Sequence, residues 1–173
     1  GISMVQGFSG LKDYLETSEE RDLGKLFFKM GMVFNESAPS SLGTIISFWL
    51  LGIGGSLKGK EDADKNEMKI ALENGISKLK ERANSKENEK TILDSLSPAT
   101  KVFEKNVDEE KTISEILKET YEAALKGSEA TKNMMAVHGR AAYHGEKTIG
   151  HVDGGSYVGK LIFEGIYNYY KEK

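Results

Sequence analysis

The sequence predicts an all-α protein, an antiparallel up-and-down bundle of about seven helices. Three observations predict it. Apolar residues recur at helical spacing through most of the 173 residues, no alternating run marks a strand, and there are only two prolines to interrupt long helices. The length fits one domain, residues 1–173, able to bury a sizeable core without staples.

Met4, Phe8, Leu11 and Leu15 mark one face of a first helix. Thr17 and Glu20 form a capping-box pattern ahead of a second, which carries Leu23, Leu26, Phe27, Met30, Val33 and Phe34. Ala38 to Ser41 read as a turn and N-cap before the run from Leu42 to Ile53, which is apolar nearly all round. That run falls short of the ~20 residues of a membrane span, so it is expected as the central helix of a soluble bundle.

From Lys60 to Lys90 eight basic and eight acidic residues cancel, as on a solvated face, while Met68, Leu72, Gly75, Ile76 and Leu79 keep a helical stripe. A polar loop follows from Asn84 to Glu89. Ile92, Leu93, Leu96, Thr100 and Phe103 make a further helix, in which Pro98 should produce a bend near Asp94. Thr112 and Glu115 give a second capping box for a helix expected to run toward Met135. The last helix is expected from about Ser156, burying Val158, Leu161, Ile162 and Tyr169.

Composition narrows the chemistry. With no cysteine there is no disulfide, thiolate metal site or thiol nucleophile. A net charge of −3 gives no global basic field for nucleic acid or anionic lipid. A cytoplasmic enzyme or binding protein is the default, with neither nucleic acid nor membrane as partner. The chain opens Gly1, Ile2, Ser3, Met4 without an initiator or a signal-peptide pattern, and is expected to begin inside a longer protein.

The chemistry concentrates in VHGRAAYHGEKTIGHVDGGS, Val137 to Ser156, which holds all three histidines, Arg140, Asp153 and five glycines. Long loops of this kind are commonly functional. Gly154 and Gly155, just before the last helix, would aim free N–H groups at an anion, and Arg140 offers a planar fork of donors. The residues alone leave open a plain polar loop and a zinc site, although histidine spacings of six and seven fit no common zinc pattern. No GxSxG elbow exposes a serine for a hydrolase. Gly54 to Lys60 satisfies half of a Walker loop, but Glu61 stands where Ser or Thr should hold magnesium and the stretch follows a helix, so a loop closing that helix is the better reading. Ser40 and Ser41 open the central helix, where free N–H groups favour phosphate. Glu89, Lys90, Thr91 and Asp94 lead into another.

GRAAYHGEKTIGHVDGGS (residues 139–156) resembles the GRASYxGERSIGHxDPGA signature of the DhaL family, the nucleotide-binding subunits of dihydroxyacetone kinase. EKTILDSLSPA (89–99) is similar to a GDKTMxDxxxP stretch of that family, GISMVQGFS (1–9) to GLNMxRGFS, and GMVFNESAPSSLG (31–43), more loosely, to GMTLLSSVGGASG. The likeness spans essentially the whole chain. It implies an eight-helix up-and-down barrel with ADP and Mg²⁺ at one end. In the phosphotransferase-system version, the bound ADP is a coenzyme that a DhaM partner rephosphorylates, and the ATP formed passes its phosphate to dihydroxyacetone held on DhaK.

Carried over residue by residue, the resemblance assigns Gly1, Ile2 and Ser3 to the turn after the metal motif, and Ser41 and Leu42 to a pair touching the nucleotide. Ala83 and Ile92 would flank the adenine or ribose, and Arg140 with Asp153, Gly154 and Gly155 would lie near phosphates and base. No catalytic group is expected beyond these nucleotide-positioning residues. Two departures bear on the grip: Pro39 to Gly43 lacks the GGASG text, and Gly154 replaces proline. The family's magnesium aspartates, in an IGDxDHG motif, would end at Gly1, so this chain is expected to hold no metal ligand and, as it stands, to transfer no phosphate. The expected partners are a DhaK-like substrate subunit and a DhaM-like phosphoryl donor, and a homodimer is compatible with the resemblance. Two other functions fit the same residues: a non-catalytic relative that binds a partner or regulator, and a kinase domain serving another small acceptor.

Overall fold

In the computed structural model residues 1–173 are described, save for the side chains at 140 and 141. Among the described residues there are seven α-helices and no strand. The chain forms two compact units, Gly1–Asn84 and Ser85–Lys173.

The first unit holds α1 (Ile2–Thr17), α2 (Leu23–Ser37), α3 (Ser41–Gly55) and α4 (Lys65–Ala83). Gly24 of α2 lies against Gly54 and Lys58 while Gly31 lies against Ser47 and Leu51, so α2 and α3 run antiparallel. Gly52 lies against Asn74 and Gly75, and the Arg82 guanidinium sits over the Phe48 ring, which makes α3 and α4 antiparallel too. Helix α3 is central: Ile46, Trp49, Leu50 and Ile53 are all buried. Phe34 of α2 is buried completely and meets Phe8 of α1 edge-on. Burying one side chain of that size contributes about 1.5–3 kcal/mol. No helix among the described residues is long and apolar enough to cross a membrane.

The second unit holds α5 (Leu93–Asn106), α6 (Ile113–Ala130), a 3₁₀ turn at Thr131–Asn133, a 3₁₀ stretch at Arg140–Thr148 and α7 (Gly154–Lys171). Tyr121 donates to Glu164 at 2.9 Å and Ser128 meets Ser156 at 3.0 Å, so α6 and α7 are antiparallel. Gly155 sits beside Ile92 and Gly159 beside Ser95, so α5 and α7 run the same way and begin at the same end. Helix α5 continues through Pro98. The ring denies the Asp94 carbonyl its helical donor, and Gly127 of α6 closes on that spot: a Cβ there would lie 2.1 Å from the Asp94 oxygen.

Several expectations change in the structure. Helix α2 is capped by Asp22, not by a Thr17–Glu20 box, and Thr17 instead ends α1. The two oxygens of Asp22 accept from Lys25 N at 3.0 Å and Gly59 N at 2.9 Å, and this long-range second bond decides the start. Helix α6 stops at Ala130, because the Thr131 hydroxyl turns back to the Ser128 carbonyl at 2.6 Å and accepts Asp153 N at 2.9 Å. Helix α7 begins at Gly154 and buries Ser156, Gly159, Lys160 and Phe163, whereas Leu161 and Tyr169 are exposed and Val158 and Ile162 half-buried. Its closest approach to α5 uses glycine and serine, which a search for large apolar residues passes over. The Thr112–Glu115 capping box forms as expected, and Asp64 with Glu67 adds another on α4.

Candidate functional site

In the first unit the helix ends gather part of the expected site. Ser40 caps α3: its hydroxyl accepts Gly43 N at 3.0 Å and the Ser3 hydroxyl at 3.3 Å, which ties the start of α1 to the start of α3. The chain turns so tightly here that a Cβ on Gly43 would lie 2.0 Å from the Ala38 carbonyl oxygen. Ser41 and Leu42 are the first two residues of the helix, so their N–H groups have no acceptor within it. Ser41 and Ala83 line one cleft of about 610 Å³, together with Asn35, Thr44 and Arg82. Gly1 is the N-cap of α1, with no side chain to offer, and Ile2 is 79% exposed. Leu42 is half-buried and is not among the cleft-lining residues.

Three cleft residues escaped the sequence reading. Thr44 donates to Asn35 at 3.1 Å, and Arg82 supplies a cation on the cleft wall. Arg82 was hidden in a charge-balanced stretch, where only its place one residue before Ala83 could have signalled it. The larger cavity of this unit, about 840 Å³, lies toward the other end of α3 among Phe28, Met32, Phe48 and Leu51 and contains none of the expected residues. The half-Walker stretch closes α3 as expected. Its Gly59 amide goes to Asp22, and the Leu57 and Lys60 carbonyls accept from Gly24 and Leu23, so its polar groups serve the protein itself.

In the second unit Ile92, Asp153, Gly154 and Gly155 come together at the shared start of α5 and α7. Asp153 caps α7, accepting Ser156 N at 2.8 Å. Burial pushes its carboxyl above the ordinary aspartate range, and the neighbouring Asp94 adds to this against the opposing pull of the Ser156 amide and the Lys90 charge. Ile92 is 2% exposed and packs against Gly155 and Gly159. A Cβ on Gly154 would meet nothing within 4 Å, so its backbone is open to approach. The Arg140 side chain lies outside the described residues.

Asp94 braces the entry to α5, one oxygen accepting Asn88 N at 2.6 Å and the other Thr91 N at 2.9 Å. Glu89 meets His138 at 2.8 Å and also accepts Lys86 N, and these contacts hold its carboxyl below the ordinary glutamate range. His138, His144 and His151 are all exposed, and among the described residues no group of three or more histidine, aspartate or glutamate side chains is placed to hold a metal ion. The loop is more ordered than its glycines suggest. Residues 140–148 form 3₁₀ turns broken at Gly145, whose φ is 47°.

Paired up-and-down helices in each unit, without a strand among the described residues, define the class: an all-helical bundle domain. Comparison with known proteins places the chain within it: residues 1–168 match the DAK2 domain model, and the chain belongs to that family. It is 28% identical over 96% of its length to the ADP-binding subunit DhaL of a PEP-dependent dihydroxyacetone kinase from Listeria innocua, of which it covers 78%. To the corresponding DhaL subunit of Escherichia coli it is 22% identical, over 90% of this chain and 74% of that one. Among solved structures, that of the dihydroxyacetone kinase of C. freundii in its native form overlays with a TM-score of 0.73 at 18% identity. The overlay covers 96% of this chain and 28% of that one, and it supports the fold.

Proposed function

We propose that residues 1–173 act as one ADP-binding domain, the nucleotide subunit of a cytoplasmic dihydroxyacetone kinase. The observation that carries the reading is the match over nearly the whole chain to relatives named as ADP-binding DhaL subunits of PEP-dependent kinases. The geometry supports it in each unit. Free amides at Ser41 and Leu42, with Arg82 on the cleft wall, suit a phosphate. Gly154 and Gly155 offer the same amide chemistry at the start of α7, and Arg140 is proposed to add a donor fork there.

These residues position the nucleotide and perform no covalent step. Phosphoryl transfer depends chiefly on positioning and charge stabilisation, so a chain of this kind works by holding the phosphates in line. The proposed partners are a DhaK-like subunit carrying the acceptor and a DhaM-like donor recharging the ADP. The magnesium that the resemblance pairs with ADP finds no donor set among the described residues, and nothing in this reading runs through it.

Thermal unfolding with and without ADP tests the reading. Ligand at about 100 times its Kd stabilises by about 2.7 kcal/mol. In a chain of this size that raises Tm by roughly 5–10 °C. No rise at millimolar ADP removes nucleotide binding. Phosphate reaching dihydroxyacetone from phosphoenolpyruvate only when the complete gene product joins the partner subunits supports the kinase role, and no gain on its addition argues for the non-catalytic alternative.

A further inference from the structure

Lys90 has no role in the reading so far, yet it is among the most constrained side chains of its unit. It is 7% exposed, and its backbone adopts a φ of 63°, which non-glycine residues rarely do. Its Nζ donates to four main-chain carbonyls: Thr131 at 2.9 Å, Met134 at 3.2 Å, Thr148 at 2.6 Å and His151 at 2.5 Å. An ammonium has three N–H bonds, so four acceptors cannot each take a separate donor. The arrangement is a cage of carbonyl oxygens around a monovalent charge. Lysines are seldom so buried without pairing, and here the pairing comes from peptide dipoles, with the Asp153 carboxyl near enough to feel the charge.

The four carbonyls come from both ends of the segment that leads to the α7 cap. Thr131 and Met134 precede the 3₁₀ stretch, Thr148 is its last residue and His151 follows it. The Gly150 amide donates to the Lys132 carbonyl at 2.6 Å and Ala136 N to the Thr148 hydroxyl at 3.0 Å, so the two limbs also touch directly. His151 lies two residues before Asp153.

We propose that Lys90 is a positioning residue: its ammonium serves as a tethered monovalent cation around which residues 131–151 fold, and this sets Asp153 and the start of α7 in place. One consequence, weaker ADP binding when the cage is empty, rests on the nucleotide reading. The fold of the segment does not.

The test is backbone amide exchange on the full chain without nucleotide, comparing wild type with Lys90→Ala. The expected result is exchange faster by about tenfold or more across residues 134–151, with protection elsewhere retained. Because alanine leaves the cage empty, ammonium or methylammonium chloride should restore protection, and tetramethylammonium at equal ionic strength, being too large, should not. ADP affinity should fall and recover in parallel. Unchanged exchange in Lys90→Ala overturns the proposal, as does a loss of protection that all these cations restore equally or none restores. If Lys90→Ala unfolds, Lys90→Met, which keeps most of the packing volume, carries the comparison, and a Lys90→Met segment as protected as wild type overturns it. Wild type that shows the protection but binds no ADP removes the nucleotide reading and leaves the cage standing.

Discussion

Asp153 is where the chemistry of single residues is most exposed to measurement. Its carboxyl lies above the ordinary aspartate range because burial opposes its charge. The folded protein therefore holds that proton more tightly than the unfolded chain does. Its contribution is fully present below the ordinary aspartate pKa and is lost as the pH rises from there through the raised value. Asparagine caps a helix as well as aspartate and carries no charge. Asp153→Asn is thus expected to remove part of the decline in stability with rising pH and to be no less stable than wild type at pH 7, as read by urea unfolding across a pH series. An Asn variant with an unchanged pH slope contradicts the assignment. Asp153 was legible as a site residue through the family resemblance, but its capping role was not read, because the last helix was expected to start at about Ser156 and starts at Gly154. Lys90 was not legible: a lysine in a charge-balanced stretch reads as solvated, and main-chain carbonyls leave no mark in a sequence.

The helices themselves were legible wherever their signals are local. The Thr112–Glu115 box needs only four residues, and it forms as read. Thr112→Ala should cost about 1 kcal/mol in denaturant unfolding through the lost cap. The start of α2 was misplaced because a contact from Asp22 to Gly59 competes with the local Thr17 pattern. The register of α7 was misjudged because it meets α5 through Gly155 and Gly159 rather than through large side chains. The same close packing governs α5 and α6. At Gly127 a methyl group would press into the Asp94 carbonyl and would lie 2.8 Å from the Pro98 ring. Gly127→Ala should therefore destabilise by about 1–3 kcal/mol despite alanine's better helix propensity. A neutral or stabilising result would show that the two helices move apart freely.

At the scale of the molecule, the family and its all-helical fold were readable because the motif from Gly139 to Ser156 is long and specific. Gly139, Arg140, Ala141, Tyr143, Gly145, Glu146, the Ile149–Gly150–His151 run, Asp153 and Gly155 keep their order in this chain, with Gly154 in place of proline. The expected residues divide between the two units, with Ser3, Ser41 and Ala83 grouped in the first and Ile92, Asp153, Gly154 and Gly155 in the second. What stayed hidden was the cleft wall of the first unit, since Asn35, Thr44 and Arg82 lie on three different helices and share no sequence pattern. The central claim is that this chain binds ADP, and isothermal titration of ADP into the full chain tests it most directly. The account predicts saturable binding of ADP, weakened about tenfold or more by Arg82→Ala or by Arg140→Ala, each measured by itself. No heat of binding at millimolar ADP, or binding indifferent to those two replacements, would contradict it.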